Sequence, residues 1–135
     1  MKLLFTRFPL ESTHGGAEMQ TISLMNGLKE RGHAVAFLGS CPTLLVICQQ
    51  HNIPCAELQI GEPPVTKMGV LSFFWRRRVM REKLQKTFNQ FVDYGLNAIF
   101  MLSLSEKILL TDIALDAGLK VFWIEHDTIG RWLKL

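Results

Sequence analysis

Two polar clusters in the sequence have residue types that could bind a ligand. The first, His14-Gly15-Gly16, follows an apolar run and precedes an amphipathic segment. Glycine has no Cβ, so a ligand can approach the N–H groups of Gly15 and Gly16 closely. The amino end of a helix is predicted here, and its unpaired N–H groups favour a phosphate or a carboxylate. The alternative is a plain tight turn, with His14 as a solvated loop residue.

The second cluster, Glu125-His126-Asp127, follows the last apolar run of the chain. Neighbouring side chains in an extended segment point to opposite sides, so these three are not expected to meet one another. A neutral imidazole at position 126 can donate a hydrogen bond to a ligand hydroxyl, and a charged imidazole can bind a phosphate. The alternative is a histidine satisfied by a backbone carbonyl.

The elements that must position these clusters alternate along the chain. Continuous apolar runs are typical of strands covered on both faces, and the segments between them have helical spacing. This alternation predicts an α/β fold, a doubly wound parallel sheet of about five strands with helices on both faces. Pro54 places the third strand at an edge of the sheet. The predicted strands are residues 3–8, 34–38, 53–60, 98–102 and 121–124, and the predicted helices are residues 16–31, 43–50, 70–94 and 106–117.

Both clusters follow predicted strands directly. In open parallel sheets, ligands bind beyond the carboxyl ends of the strands. We therefore expect His14-Gly15-Gly16 and Glu125-His126-Asp127 to lie at the same edge of the sheet.

Size and composition limit the class of protein. The chain has 135 residues, of which 48% are hydrophobic, and its formal net charge is +3. These values favour a single folded domain and argue against a nucleic-acid partner. Arg7 and Pro9 interrupt the region that a signal peptide would need, and no uncharged apolar run reaches the ~18 residues that cross a bilayer. We expect a cytoplasmic protein that is soluble or at most peripheral to the inner face of the cell membrane.

The cysteines allow two interpretations. Cys41, Cys48 and Cys55 cannot form a complete set of disulfides, which favours buried thiols in a reducing compartment. Together with His51 they could instead ligate zinc, but their spacing does not match a zinc knuckle or ribbon. We therefore predict no metal site, and no cofactor.

A basic segment of the predicted helix at residues 70–94 also has two interpretations. Long cationic side chains can form a solvated outer face that shields the apolar stripe beneath. An amphipathic helix rich in arginine, with aromatic residues at its start, can instead contact an anionic membrane. The residues concerned are Trp75, Arg76, Arg77, Arg78 and Arg81.

Four segments taken in order resemble the amino-terminal half of family 4 glycosyltransferases of the GT-B fold. They are Lys2-Leu3-Leu4-Phe5, Gly15-Gly16-Ala17-Glu18, the segment 28–35 (Leu-Lys-Glu-Arg-Gly-His-Ala-Val) and the final strand with Glu125-His126-Asp127. The resemblance implies retaining transfer of a sugar from a nucleotide-sugar donor to an acceptor, without a metal, in a cleft between two Rossmann-like domains. It implies that Gly15 and Gly16 approach the phosphate and sugar, and that His126 is the catalytic residue at the transferred sugar. His14, Glu125 and Asp127 are then the neighbouring substrate-binding residues.

In this family, a carboxyl-terminal domain holds most of the nucleotide, and nothing in the sequence corresponds to it. Residues 1–135 are therefore expected to form one Rossmann-like amino-terminal domain that is inactive unless a second domain or subunit completes it. Two other functions stay open: a small non-catalytic module that binds a nucleotide or phosphate, and a regulatory or interaction domain built on the same fold.

Overall fold

The computed structural model describes residues 1–8, 16–59 and 67–124. Strands and helices alternate throughout these ranges, as the apolar pattern predicts. The elements are β1 (Lys2–Arg7), α1 (Gly16–Glu30), β2 (Ala34–Gly39), α2 (Pro42–Gln50), β3 (Cys55–Glu57), α3 (Lys67–Asp93), β4 (Ala98–Met101), α4 (Leu104–Asp116) and β5 (Lys120–Trp123).

The strands form one parallel sheet in the order β3-β2-β1-β4-β5. The predicted fold class, a doubly wound Rossmann-like α/β domain, is confirmed. In the centre of the sheet, Phe5 is aligned with Phe37 of β2 and with Phe100 of β4. The third strand lies at an edge, as its proline predicts, but it is only three residues long instead of the eight expected.

Alternate residues of the central strands enter two separate cores. Leu4 of β1 packs in a core with α3 and α4, represented by Leu84 and Leu110. Phe5, the next residue, packs on the opposite face in a core with α1 and α2, represented by Met25 and Leu44. Because side chains of a strand alternate between faces, strands that are apolar throughout supply both cores.

Helix α1 and strand β5 are less buried than their sequences predict. Met19 and Leu24 of α1 are exposed, so only part of the apolar side chains of this helix are buried. In β5, Phe122 and Trp123 are about half exposed. Phe122 still stacks on Phe100, with ring centroids 4.8 Å apart, and extends a stack that begins with Phe5.

The crossover helix α3 runs from the carboxyl ends of the strands, which we call the carboxyl edge of the sheet, to their amino ends, which we call the amino edge. It follows β3 and precedes β4, which are parallel, so its amino end lies at the carboxyl edge of the sheet and its carboxyl end at the amino edge. A hydrogen bond of 2.6 Å from Lys2 Nζ at the start of β1 to the carbonyl of Tyr94 confirms this direction. The helix has 27 residues and is therefore about 40 Å long.

Candidate functional site

The sheet order creates a crevice at its carboxyl edge between β1 and β4. The connection after β1 leads to α1 on one face, whereas the connection after β4 leads to α4 on the other face. The two connections therefore diverge, and such switch points are where ligands bind in open parallel sheets. We call the end of β1, the end of β4 and the first turns of α1 and α4 the candidate site.

The buried carboxyl group of Glu106 joins the two strands at this crevice. Its Oε1 accepts hydrogen bonds from the N–H groups of Leu102 (3.0 Å) and Ser103 (2.7 Å) and from the hydroxyl of Thr6 (3.0 Å). Burial raises the pKa of Glu106 from 4.5 to about 7, and these hydrogen bonds oppose the rise. Near neutral pH the group therefore exchanges between its acid and its carboxylate form.

A second bond across the crevice comes from Ser103, the residue that precedes α4. Its hydroxyl oxygen accepts a hydrogen bond of 2.8 Å from the N–H of Phe8, the residue that follows β1. Together with the bond from Thr6 to Glu106, this contact fixes the ends of β1 and β4 relative to each other. The floor of the crevice is therefore held by side chains of α4.

An ion pair attaches α1 to the end of β1. The guanidinium of Arg7 donates to Glu18 Oε1 at 2.9 Å, and the two side chains are only 15% and 3% exposed. A carboxylate in the first turn of a helix also complements the helix dipole. The structure adds that Glu18 is buried and holds the amino end of α1 against the last residue of β1.

The first turn of α4 contains three consecutive buried polar residues. They are Ser105, Glu106 and Lys107. Lys107 Nζ donates a hydrogen bond of 3.0 Å to the carbonyl of Ile124, the residue after β5. The end of β5 is therefore tied to the same helix turn as the ends of β1 and β4.

Three buried polar atoms at this edge have no hydrogen-bond partner within the described ranges. They are Arg7 Nε, Ser105 Oγ and Glu106 Oε2. A guanidinium N–H and a hydroxyl can both donate to an anionic or hydroxylated ligand. The carboxyl edge therefore contains buried polar groups that the described residues do not satisfy.

Five of the six predicted site residues, His14, Gly15, Glu125, His126 and Asp127, lie outside the described residues. The sixth, Gly16, is the first residue of α1. The described residues next to both clusters are Phe8 and Gly16 on one side and Ile124 on the other. These lie at the carboxyl edge, where the sequence predicts that the clusters meet.

Sequence reasoning missed the buried network of Thr6, Ser103, Glu106 and Lys107. One signal was present, because Ser103 and Glu106 have the spacing of a capping box at a helix start. That spacing predicts a cap but not burial, and it gives no information about Thr6 on a distant strand.

The cysteines and the basic helix α3 contribute no residue to the candidate site as defined above. All three thiols are free, and burial raises the pKa of Cys48 to about 12. In the part of the chain that the structure describes, no three metal-ligating side chains cluster. Within the same ranges, no helix combines the length and the apolar character that crossing a bilayer requires.

Comparison with known proteins identifies the fold. No protein-family model and no curated protein matches the chain. Nine chains of solved structures are similar to it, and the following are three of them. MurG of Acinetobacter baumannii superimposes with a TM-score of 0.56 over 92% of the chain, at 16% identity. A glycosyltransferase of Rickettsia africae superimposes with a TM-score of 0.55 over 90% of the chain, at 18% identity. Anabaena HepE in complex with UDP and glucose superimposes with a TM-score of 0.55 over 91% of the chain, at 17% identity.

The fold is one that a glycosyltransferase uses. At these identities the likeness concerns the fold alone. The chain covers 34%, 28% and 29% of the three structures in that order, so it corresponds to about a third of each.

Proposed function

We propose that this chain is the acceptor-side domain of a retaining glycosyltransferase of family 4 that uses a nucleotide-sugar donor. The observation that carries the proposal is the coincidence of two features. The chain has a fold used by a glycosyltransferase, and its switch point between β1 and β4 is lined by buried polar groups. HepE, which has a similar fold, was crystallised with UDP and glucose.

In this proposal, ligand contacts come mainly from the two sequence clusters. Gly15 and Gly16 present N–H groups to the phosphate as its charge develops during transfer. His126 donates a hydrogen bond to the transferred sugar, and Glu125, Asp127 and His14 contribute around it. The buried bonds of Glu106 and Ser103 keep the crevice open between β1 and β4.

The proposal also includes a second domain or subunit that binds most of the nucleotide. The chain spans only about a third of each similar structure. We therefore expect no sugar transfer by the 135-residue chain alone, and weak binding of the sugar donor, with a Kd of about 1 mM.

Binding can be tested on the chain itself by NMR titration with UDP-glucose. We expect shift changes at Phe8, Gly16 and Ile124, which border the two clusters. Gly16→Val should abolish them, because a β-branched residue blocks close approach to the backbone. Gly27→Val is a matched control on the same helix, since a side chain there meets no atom within 4 Å.

Three outcomes would contradict this assignment. They are an absence of shift changes at the carboxyl edge, changes confined to another surface, or equal changes in the Gly16→Val variant. If inorganic phosphate bound as tightly as UDP-glucose, the alternative function, a non-catalytic phosphate-binding module, would be favoured.

A specific observation favours a membrane partner as well. The amino-terminal half of α3 lies at the same edge as the candidate site, and its outward-facing residues are apolar and basic together. Phe74 and Trp75 are 74% and 83% exposed, and Arg76, Arg77 and Arg78 beside them are exposed too.

Arg81, the remaining residue of this predicted contact, has a structural partner. It donates to Asp112 of α4 at 2.8 Å and is only 35% exposed. The proposed contact with an anionic membrane therefore rests on residues 74–78. The free thiols favour a reducing compartment, so we propose the cytoplasmic leaflet as this surface.

Vesicle sedimentation tests this contact. Each arginine near an anionic surface contributes about 1 kcal/mol, so Arg76→Gln with Arg77→Gln should weaken binding to phosphatidylglycerol vesicles about 30-fold. Lys83→Gln with Lys86→Gln removes the same charge from the other half of α3 and should have a smaller effect. Equal losses in the two variants, or binding that salt does not weaken, would reject the contact.

A further inference from the structure

A cavity of about 170 Å³ lies at the amino edge of the sheet, opposite the candidate site. It is bordered by the starts of β1 and β2, by the turn before β3 and by the carboxyl ends of α1 and α3. Its apolar lining includes Leu3, Val35, Ile53 and Leu96. A cavity of about 150 Å³ holds one benzene molecule, so this cavity has room for an apolar group of about one ring.

Two lysines stand in the lining of this cavity, and their ammonium groups are held in place. Lys2 Nζ donates to the carbonyl of Tyr94 at 2.6 Å and lies 4.4 Å from the centre of the Tyr94 ring. Lys29 Nζ donates to the carbonyl of His51 at 2.6 Å. An ammonium group has three N–H donors, so each lysine can make further hydrogen bonds.

The charges at the cavity are unbalanced. Besides the two lysines, His33 lines it, and none of the described lining residues is an aspartate or a glutamate. Each lysine is bonded to a neutral carbonyl, and neither takes part in an ion pair in the described part of the chain. The lining of the cavity therefore carries a net positive charge, which favours an anionic ligand.

We propose that this amino-edge cavity binds a small monocarboxylate whose apolar body is about the size of one ring. The apolar body replaces water against the buried side chains of Leu3, Val35 and Ile53. The carboxylate accepts charge-assisted hydrogen bonds from Lys2 and Lys29. The site is separate from the proposed sugar site, because the two lie at opposite edges of the sheet.

Benzoate is a suitable probe, and benzyl alcohol is its neutral comparator of similar size. In NMR titrations of the whole chain, we expect benzoate to shift the resonances of Val35, Ile53 and Leu96, with a Kd of about 1 mM. Benzyl alcohol should bind at least about tenfold more weakly, since it lacks the charge that the lysines recognise. UDP-glucose should not compete with benzoate.

Lys29→Met tests the charge, and Lys86→Met is the matched control on the exposed face of α3. Lys29→Met should weaken benzoate binding about tenfold and leave benzyl alcohol unchanged, whereas Lys86→Met should change neither. Ala34→Leu provides a second variant that keeps both lysines and fills the cavity, and it should abolish binding of both probes.

The proposal is overturned if benzoate causes no shift changes at the cavity or binds no better than benzyl alcohol. It is equally overturned if Lys29→Met and Lys86→Met have the same effect. If Lys29→Met fails to fold, the Ala34→Leu variant decides: undiminished benzoate binding in that variant rejects the cavity as the site. None of these outcomes depends on sugar-donor binding at the other edge.

Discussion

The buried carboxyl of Glu106 should make the stability of this domain depend on pH in an unusual direction. Its pKa is raised by burial from 4.5 to about 7. Between these values the folded chain keeps the proton and the unfolded chain has lost it. The free energy of unfolding contributed by this group is therefore greatest below about pH 4.5 and falls as the pH rises through 7.

The size of the effect follows from the same values. A pKa difference of one corresponds to about 1.4 kcal/mol, so the change from 4.5 to about 7 amounts to about 3 kcal/mol. Glu106→Gln removes the titration but keeps an Oε1 that can accept the bonds from Thr6, Leu102 and Ser103. The variant should match the wild type below about pH 4.5 and exceed its free energy of unfolding by about 3 kcal/mol at pH 8.

Urea denaturation at pH 5, 6, 7 and 8 measures this difference directly. The difference between variant and wild type isolates residue 106, because the other titrating groups are common to both chains. Glu82→Gln, an exposed carboxyl on α3, is the control and should leave the wild-type pH profile unchanged. A gap between the Glu106→Gln variant and the wild type that stays constant from pH 5 to pH 8 would refute the reasoning.

Two further pairs of variants test the framework around the site by denaturation. Gly39→Ala should destabilise the fold by about 3 kcal/mol, because its Cβ would collide with the carbonyl of Arg7, whereas Gly27→Ala in open space within α1 should stabilise it by about 1 kcal/mol. Arg7→Ala should cost about 3 kcal/mol, since it removes a buried ion pair with Glu18, whereas Arg78→Ala, which removes an exposed ion pair, should cost less than about 1 kcal/mol. Equal effects within either pair would contradict the burial on which the predictions rest.

Much of the fold could be predicted because two periodicities alternate clearly along the chain. Strands buried on both faces appear as continuous apolar runs, and Pro54 alone was enough to place the third strand at an edge. The exposure of Phe122 and Trp123 could not be predicted, because an edge strand and a central strand can have the same apolar sequence. Strand length was also overestimated for β3, where pairing with β2 involves only three residues.

The internal contacts of the candidate site could not be predicted from the sequence. The rule that ligands bind beyond the carboxyl ends of strands predicts that both clusters lie at that edge, and this stays a prediction, because five of their six residues lie outside the described ranges. Which polar residues are buried there depends on pairs far apart in sequence, such as Thr6 with Glu106, which are 100 residues apart. No local pattern encodes such a pair, so Glu106 was predicted only as the start of a helix.

The contacts at the carboxyl edge imply a division of roles that can be tested. Glu106 Oε1 and Ser103 Oγ are engaged by groups of the protein itself, so they fix the crevice and do not need to touch a ligand. Glu106→Gln should therefore alter the pH dependence of the stability while leaving the affinity for UDP-glucose nearly unchanged at a pH where both chains are folded. Gly16→Val should abolish the binding of UDP-glucose and leave the pH dependence of the stability unchanged. If Glu106→Gln abolished UDP-glucose binding in a fully folded chain, Oε2 of Glu106 would have to be a ligand contact, which would contradict this division of roles.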